Sequence, residues 1–176
     1  SVTGVQTCSL PILLFGMLGL SGGGLSRAGL IMALCLSALA TSASAAPPAV
    51  ITTSSGHGFD ALVTRLEAAI GQHNMGLVAQ ASASRGAASR GVKILGNAVL
   101  MVFRNDYAVR MLAASVPAGI EAPLRLYVTE QPDGTAQVHY AAPSVVFAPY
   151  GSAALDAMAR ELDPIFAQIV ADAVAP

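Results

Sequence analysis

The stretch Leu124-Arg125-Leu126-Tyr127-Val128-Thr129-Glu130-Gln131-Pro132-Asp133-Gly134-Thr135-Ala136-Gln137-Val138-His139-Tyr140-Ala141-Ala142 decides the fold. Two runs that alternate apolar and polar residues flank Gln-Pro-Asp-Gly, which is the pattern of two strands joined by a tight turn. Alternation also sets the register. A three-residue loop, Pro132 to Gly134, pairs Leu126 with Tyr140 and Val128 with Val138 on one face. It sets Tyr127 against His139 and Thr129 against Gln137 on the other. A two-residue loop mixes apolar and polar positions on each face and is rejected.

Upstream of this hairpin, Ala98 to Phe103 is nearly continuous Val, Leu, Met and Phe, which predicts a central strand buried on both faces. Asn105 is then expected to cap a short helix carrying Ala108, Met111 and Leu112, ended by Pro117 and Gly119. Val50 to Thr53 is a short β-branched strand, and Leu77 to Ala83 is another. Between them Phe59, Leu62, Val63, Leu66, Ala69 and Ile70 recur at spacings of three and four, which predicts an amphipathic helix over 60–72. Ser84 to Leu95, rich in Gly and Ala, is a loop or an irregular helical turn. Downstream, Ser152 opens a helix with Leu155, Met158, Leu162, Ile165, Phe166 and Ile169 facing inward. Pro164 cannot donate to the carbonyl of Arg160, so a break is expected there, with Asp163 capping a second segment. The order β-α-β-β-α-β-β-α implies a two-layer α+β domain, helices packed on a mixed or antiparallel sheet.

The 176 residues leave room for one such domain with a modest core and an appendage. The appendage is N-terminal. Residues 1–45 hold one charged side chain, Arg27, and both cysteines, Cys8 and Cys35. Arg27 precedes the uncharged run Ala28 to Ala40, and Ala43-Ser44-Ala45 closes it. A basic flank, a short apolar core and an Ala-x-Ala site form the pattern of a secretory signal peptide. That run is too short for a comfortable membrane span, so no stable span is expected after cleavage. Residues 13–45 are therefore expected to direct export to the periplasm or the exterior and to be cleaved after Ala45. Residues 1–12, Ser-Val-Thr-Gly-Val-Gln-Thr-Cys-Ser-Leu-Pro-Ile, resemble translated sequencing-adapter DNA and are expected to be a non-native extension.

The expected mature chain, 46–176, has eight basic and ten acidic residues and no cysteine. It therefore offers no disulfide, thiolate metal site or cysteine nucleophile. The charge balance also argues against nucleic acid, which calls for a basic patch.

Chemistry is sparsely signalled. His57, His73 and His139 have no metal-ligand spacing among them, so no metal is expected. His57 lies between glycines, His73 ends the first helix, where a basic group suits the dipole, and His139 points outward beside Tyr127 and Arg125. Ser82, Ser84 and Ser89 sit in no Gly-x-Ser-x-Gly elbow. Gly86, Gly91 and Gly96 recur every five residues, but the Lys-Ser end of a phosphate loop is missing, and no cofactor is implied. Arg85, Arg90 and Lys93 could hold a small anion across their loop, and Tyr127 with His139 could form a shallow polar site. No close carboxylate pair marks a glycosidase.

Gly58-Phe59-Asp60 with Leu66-Glu67-Ala68-Ala69-Ile70 comes first. Gly96-Asn97 follows, leading into Val99-Leu100-Met101-Val102-Phe103-Arg104-Asn105. Pro123-Leu124-Arg125-Leu126-Tyr127-Val128 comes next, and then Asp133-Gly134 before Val138-His139-Tyr140-Ala141-Ala142-Pro143. In this order and spacing the chain, over about residues 50–173, resembles the family catalogued as domain of unknown function 302. The resemblance implies a compact α+β domain, often a homodimer, found both in the cytoplasm and behind signal peptides, and implies no reaction. Family members commonly carry an Asp-His pair where this chain has Ala81-Ser82-Ala83-Ser84, and Phe-Gly-Asn-Pro where it has Phe103-Arg104-Asn105-Asp106. No role for that histidine transfers. Phe103 and Asn105 read as strand core and helix cap.

The function expected from these residues is a noncatalytic ligand-binding or protein-interaction module. Self-association is expected through a sheet face of Tyr127, Thr129 and His139, with Tyr107 as a further candidate member, as is a small anion or lipid-like ligand. The alternative is a small hydrolase-like enzyme using His57 or His139, with Arg85 and a distant acid. It lacks a base held in reach of a nucleophile by sequence.

Overall fold

A computed structural model describes residues 49–176; the expected extension and signal segment, 1–12 and 13–45, lie outside the described residues. Five strands form one sheet: β1 (Val50–Gly58), β2 (Gly76–Ala81), β3 (Asn97–Phe103), β4 (Leu124–Glu130) and β5 (Thr135–Ala141). Their order is β1-β5-β4-β3-β2, and every pairing is antiparallel. The helices are α1 (Phe59–Gln72), α2 (Ala83–Ala88), α3 (Asn105–Ala114), α4 (Pro143–Phe147) and α5 (Ala153–Val174). The expected α+β architecture and the order of its main elements are present, with α2 and α4 added.

The hairpin has the register that alternation demands. Tyr127 faces His139, Val128 faces Val138 and Thr129 faces Gln137. Gly134, at φ +84°, takes the left-handed position that a three-residue loop requires. The Asp133 carboxylate accepts from the Thr135 amide (2.9 Å) and hydroxyl (2.6 Å), which locks the turn and holds that carboxyl below its usual range.

One face of the sheet is sealed. Ala98, Leu100 and Val102, Leu126 and Val128, and Ala136 and Val138 are buried against Leu62, Leu66 and Ile70 of α1 and Leu155, Phe166 and Ile169 of α5. Neither α1 nor α5 packs on the other face, and the short α4 reaches it only with Val146. This corrects the expectation for β3, which is buried on one side only: Val99, Met101 and Phe103 are half-buried on the open face.

Three further expectations fail locally. β1 runs on to Gly58, because β5 supplies a partner that its Ser- and Gly-rich sequence does not advertise. Asn105 is the first residue of α3 and not its cap; Arg104 stands in the cap position and its guanidinium bonds Asp106 at 2.7 and 3.0 Å. Leu112 of that helix is exposed, leaving Met111 as its buried anchor. Pro164 does not break α5. The proline and Arg160 both face solvent, so water can satisfy the freed carbonyl, while the buried stripe continues through both halves. Asp163 instead caps a different helix, accepting from the Ser144 amide of α4 at 2.9 Å.

The carboxyl end of α5 is clasped from α1 and β1. Arg65 donates from Nε to the Ala173 carbonyl (2.7 Å) and from Nη2 to those of Ala175 (2.6 Å) and Asp172 (3.3 Å). His57 Nε2 donates to Ala175 (2.7 Å). His73 ends α1 as expected, but its Nε2 reaches Asp172 at 2.7 Å across to α5. The carbonyls left without partners at a helix end are here satisfied by side chains.

Candidate functional site on the open sheet face

Adjacent strands bring Arg125, Tyr127 and His139 to one shallow hollow of about 270 Å³, with Val50, Val99 and Val146 around it. Odd-numbered residues of β4 and β5 point away from the core, so the register that buries Leu126 and Val138 is what exposes these three side chains. The Tyr127 and His139 rings lie 5.8 Å apart, tilted at 38°.

Both nitrogens of His139 are occupied. Thr52 Oγ1 sits 3.0 Å from Nδ1 and Thr129 Oγ1 sits 2.9 Å from Nε2. Gln131 Nε2 donates to that Thr129 hydroxyl at 3.2 Å. A neutral imidazole in this setting donates through one nitrogen and accepts at the other. It is anchored as part of the surface, and acting as a general base would require it to release a threonine. The alternation revealed Tyr127 and His139; it missed Thr52, which arrives from a strand 87 residues away.

Arg125 is 61% exposed, with Nη2 3.8 Å from Glu121 Oε2, too long for a hydrogen bond. Glu121 accepts from the Tyr150 hydroxyl at 2.9 Å, and the carboxylate holds that phenol above its usual range. A neighbouring hollow of about 400 Å³ shares Arg125, Ala141 and Val146 with the first and adds Glu121, Val145 and Pro149.

The remaining expected residues are placed elsewhere. Arg85, Arg90 and Lys93 are exposed, and their side chains form no hydrogen bond or ion pair with any described residue. A hollow of about 310 Å³ beside α2 is lined by Lys93 but by neither arginine, and it shares no residue with the one at Tyr127. The five expected ligand-binding residues are thus not brought together: Tyr127 and His139 share one hollow, Lys93 lines another, and Arg85 and Arg90 line neither. The serines nearby have structural partners: Ser82 accepts from the Arg85 amide, Ser84 from that of Asn97, and Ser89 donates to the Gly86 carbonyl. His57 is turned to the end of α5, and the His73–Asp172 pair has no hydroxyl within hydrogen-bond distance of its imidazole among the described residues. The described residues contain no cluster of three or more His, Cys, Asp or Glu placed to hold a metal ion.

Residues 51–173 match the family model described as Domain of unknown function DUF302. The chain belongs to the DUF302 family. A solved DUF302 structure, the crystal structure of an uncharacterized conserved protein from Bacillus stearothermophilus, is 21% identical. It superposes with a TM-score of 0.64 over 72% of this chain and 98% of its own, so the two share a fold. No curated protein matches the chain. The DUF302 fold thus accounts for the framework of the open face, while the hollow on it is described by this chain's own residues. No described helix is long and apolar enough to cross a membrane.

Proposed function

We propose that this domain acts without catalysis, as an interaction module whose working surface is the open sheet face, and that the face is covered by a second copy of the chain. The observation that carries this reading is the composition of that face. Val99, Met101, Phe103 and Tyr127 lie on it, no described helix covers it, and its only charged strand residue is Arg125. A two-fold pairing sets each patch against itself, so a face with almost no charge avoids like-charge contact. The Arg125 side chain, loosely held at 3.8 Å from Glu121, is free to find a carboxylate of the partner copy. Light scattering of residues 46–176 at micromolar concentration is expected to give twice the monomer mass, and Tyr127→Glu to halve it. A wild-type monomer overturns the pairing.

A second reading rests on the hollow itself. Its apolar walls and single available cation suit a small anion with a lipid-like body, a chemistry typical of shallow sites with few polar anchors. Octanoate is expected to perturb the amide signals of Tyr127 and His139 in a saturable way, and Arg125→Ala to weaken this several-fold. Export to the periplasm or the exterior belongs to the same proposal, supported by Arg27, the Ala28–Ala40 run and Ala43-Ser44-Ala45. N-terminal sequencing of the exported protein is expected to begin at Ala46; a soluble protein retaining Leu30 to Leu39 overturns it.

A further inference from the structure

The connection from β2 to β3 carries charge that nothing in the described domain uses. Residues 88–95 are exposed without a break, and Ala87 is the one buried side chain between Ala81 and Leu95. The base of this projection is nonetheless pinned. Asn97 Oδ1 accepts from the Ala83 amide (2.9 Å), and the Asn97 amide donates to Ser84 Oγ (3.1 Å). Beyond α2 the Val92 amide folds back onto the Ala87 carbonyl at 3.0 Å. We propose that this projection docks the domain on the surface of an anionic lipid bilayer.

Two properties together select that partner. The first is charge. Arg85, Arg90 and Lys93 follow one another closely, none pairs with a described carboxylate, and no Asp or Glu occurs from residue 68 to 105. Glu130 approaches the base from β4, where it accepts from the Gly96 amide at 2.6 Å and forms no ion pair with a described residue. The second property is apolar exposure. Val92, Ile94 and Leu95 are each about half exposed, and Val92, Lys93 and Ile94 border one hollow beside α2. A free phosphate would use the cations and leave these aliphatics in water. Nucleic acid calls for aromatic platforms, and no Phe, Tyr or Trp lies between Phe59 and Phe103. A protein partner would have to match cations that share no common hollow, since Lys93 lines one and neither arginine does. A fluid bilayer imposes no fixed spacing on its phosphates and uses both properties. Each cation near an anionic surface is worth about fivefold in partitioning, and the aliphatics enter the boundary between headgroups and acyl chains.

The test is co-sedimentation of residues 46–176 with lipid vesicles. The solved DUF302 relative matches this domain over 98% of its own length, so the domain folds without the preceding segment. Leaving out residues 28–40 also removes an apolar run able to bind lipid unaided. Vesicles of phosphatidylglycerol and phosphatidylcholine in equal parts should carry the protein down, and phosphatidylcholine alone should not. Binding should weaken as salt rises. Arg85→Gln, Arg90→Gln and Lys93→Gln made together should weaken it about a hundredfold. Val92→Ser, Ile94→Ser and Leu95→Ser made together leave the charge unchanged and should weaken it roughly tenfold or more. All six side chains are exposed, so the thermal midpoint should stay at the wild-type value in both variants. Arg160→Gln, which removes one exposed charge from α5, should leave binding within about twofold. No binding to the anionic vesicles, equal binding to both kinds, or an affinity indifferent to the serine variant overturns the proposal. Release by inorganic phosphate but not by chloride of equal ionic strength marks a free-anion site and overturns it as well.

Discussion

The two faces of this sheet are built from the same strands and have opposite fates. In β4, Leu126 is 0% exposed and its neighbour Tyr127 is 41% exposed. The covered face fixes the register, because a one-residue slip would carry Leu126, Val128 and Val138 into solvent. The open face inherits that register at no cost to the core. Residues there are not constrained by the core, yet those of β3 on that side, Val99, Met101 and Phe103, are still apolar.

The largest test of this contrast compares consecutive residues. Leu126→Ala should cost about 2–5 kcal/mol, the usual range for a large side chain removed from a packed core. Tyr127→Ala should cost less than about 1 kcal/mol in solutions dilute enough to hold the chain monomeric. Urea unfolding of both variants decides it, and equal losses would mean that the open face also holds the fold together. Next in size is Gly96→Ala. A Cβ there would lie 2.6 Å from the Phe59 ring, at the start of α1, so about 1–3 kcal/mol of overpacking is expected under the helices.

Asp163→Ala should cost about 1 kcal/mol by uncapping α4, and Asp163→Asn, which keeps an acceptor, should cost less. Both are read from thermal midpoints. The smallest effect is at the Arg110–Glu161 pair, which fastens α3 over the sealed side. Arg110 holds the Glu161 carboxyl below its ordinary range. A lowered folded-state value stabilises the fold above the ordinary glutamate range, and that contribution is lost as pH falls through the lowered value. Arg110→Ala should therefore lower the thermal midpoint slightly at neutral pH, and the gap from wild type should close in acid. A gap that does not change with pH would mean that the arginine acts through packing alone.

What could be read from the sequence follows the same division between faces. The hairpin was legible because Leu126, Val128, Val138 and Tyr140 alternate against polar neighbours and Pro-Asp-Gly fixes the loop. The buried stripes of α1 and α5 were legible because periodicity near 3.6 needs only local sequence. β1 reads short in the sequence, since Ser54-Ser55-Gly56-His57 has no alternation and becomes strand only through β5. The run in β3 reads as buried on both faces because composition cannot say which side a helix covers. Pro164 reads as a break because its exposed setting is a property of the folded helix. At the open face, the pairing of Tyr127 with His139 came from register alone. The same register puts Thr129 on that face, but Thr52, the second tether of the imidazole, does not follow from it because it comes from a distant strand.

The clasp at the end of α5 bears on how the chain reaches this state. His57 meets Ala175 across 118 residues, and Thr52 meets His139 across 87. The first strand therefore waits as an unpaired edge until the hairpin exists, and its fastening waits until the last residues are in place. Such separations make folding slow, since chain entropy is lost before the distant contacts form. A chain emerging in order from N to C terminus spends most of its synthesis with Val50–Gly58 unsatisfied, which makes that strand the segment most open to capture by a chaperone or by another unfinished copy.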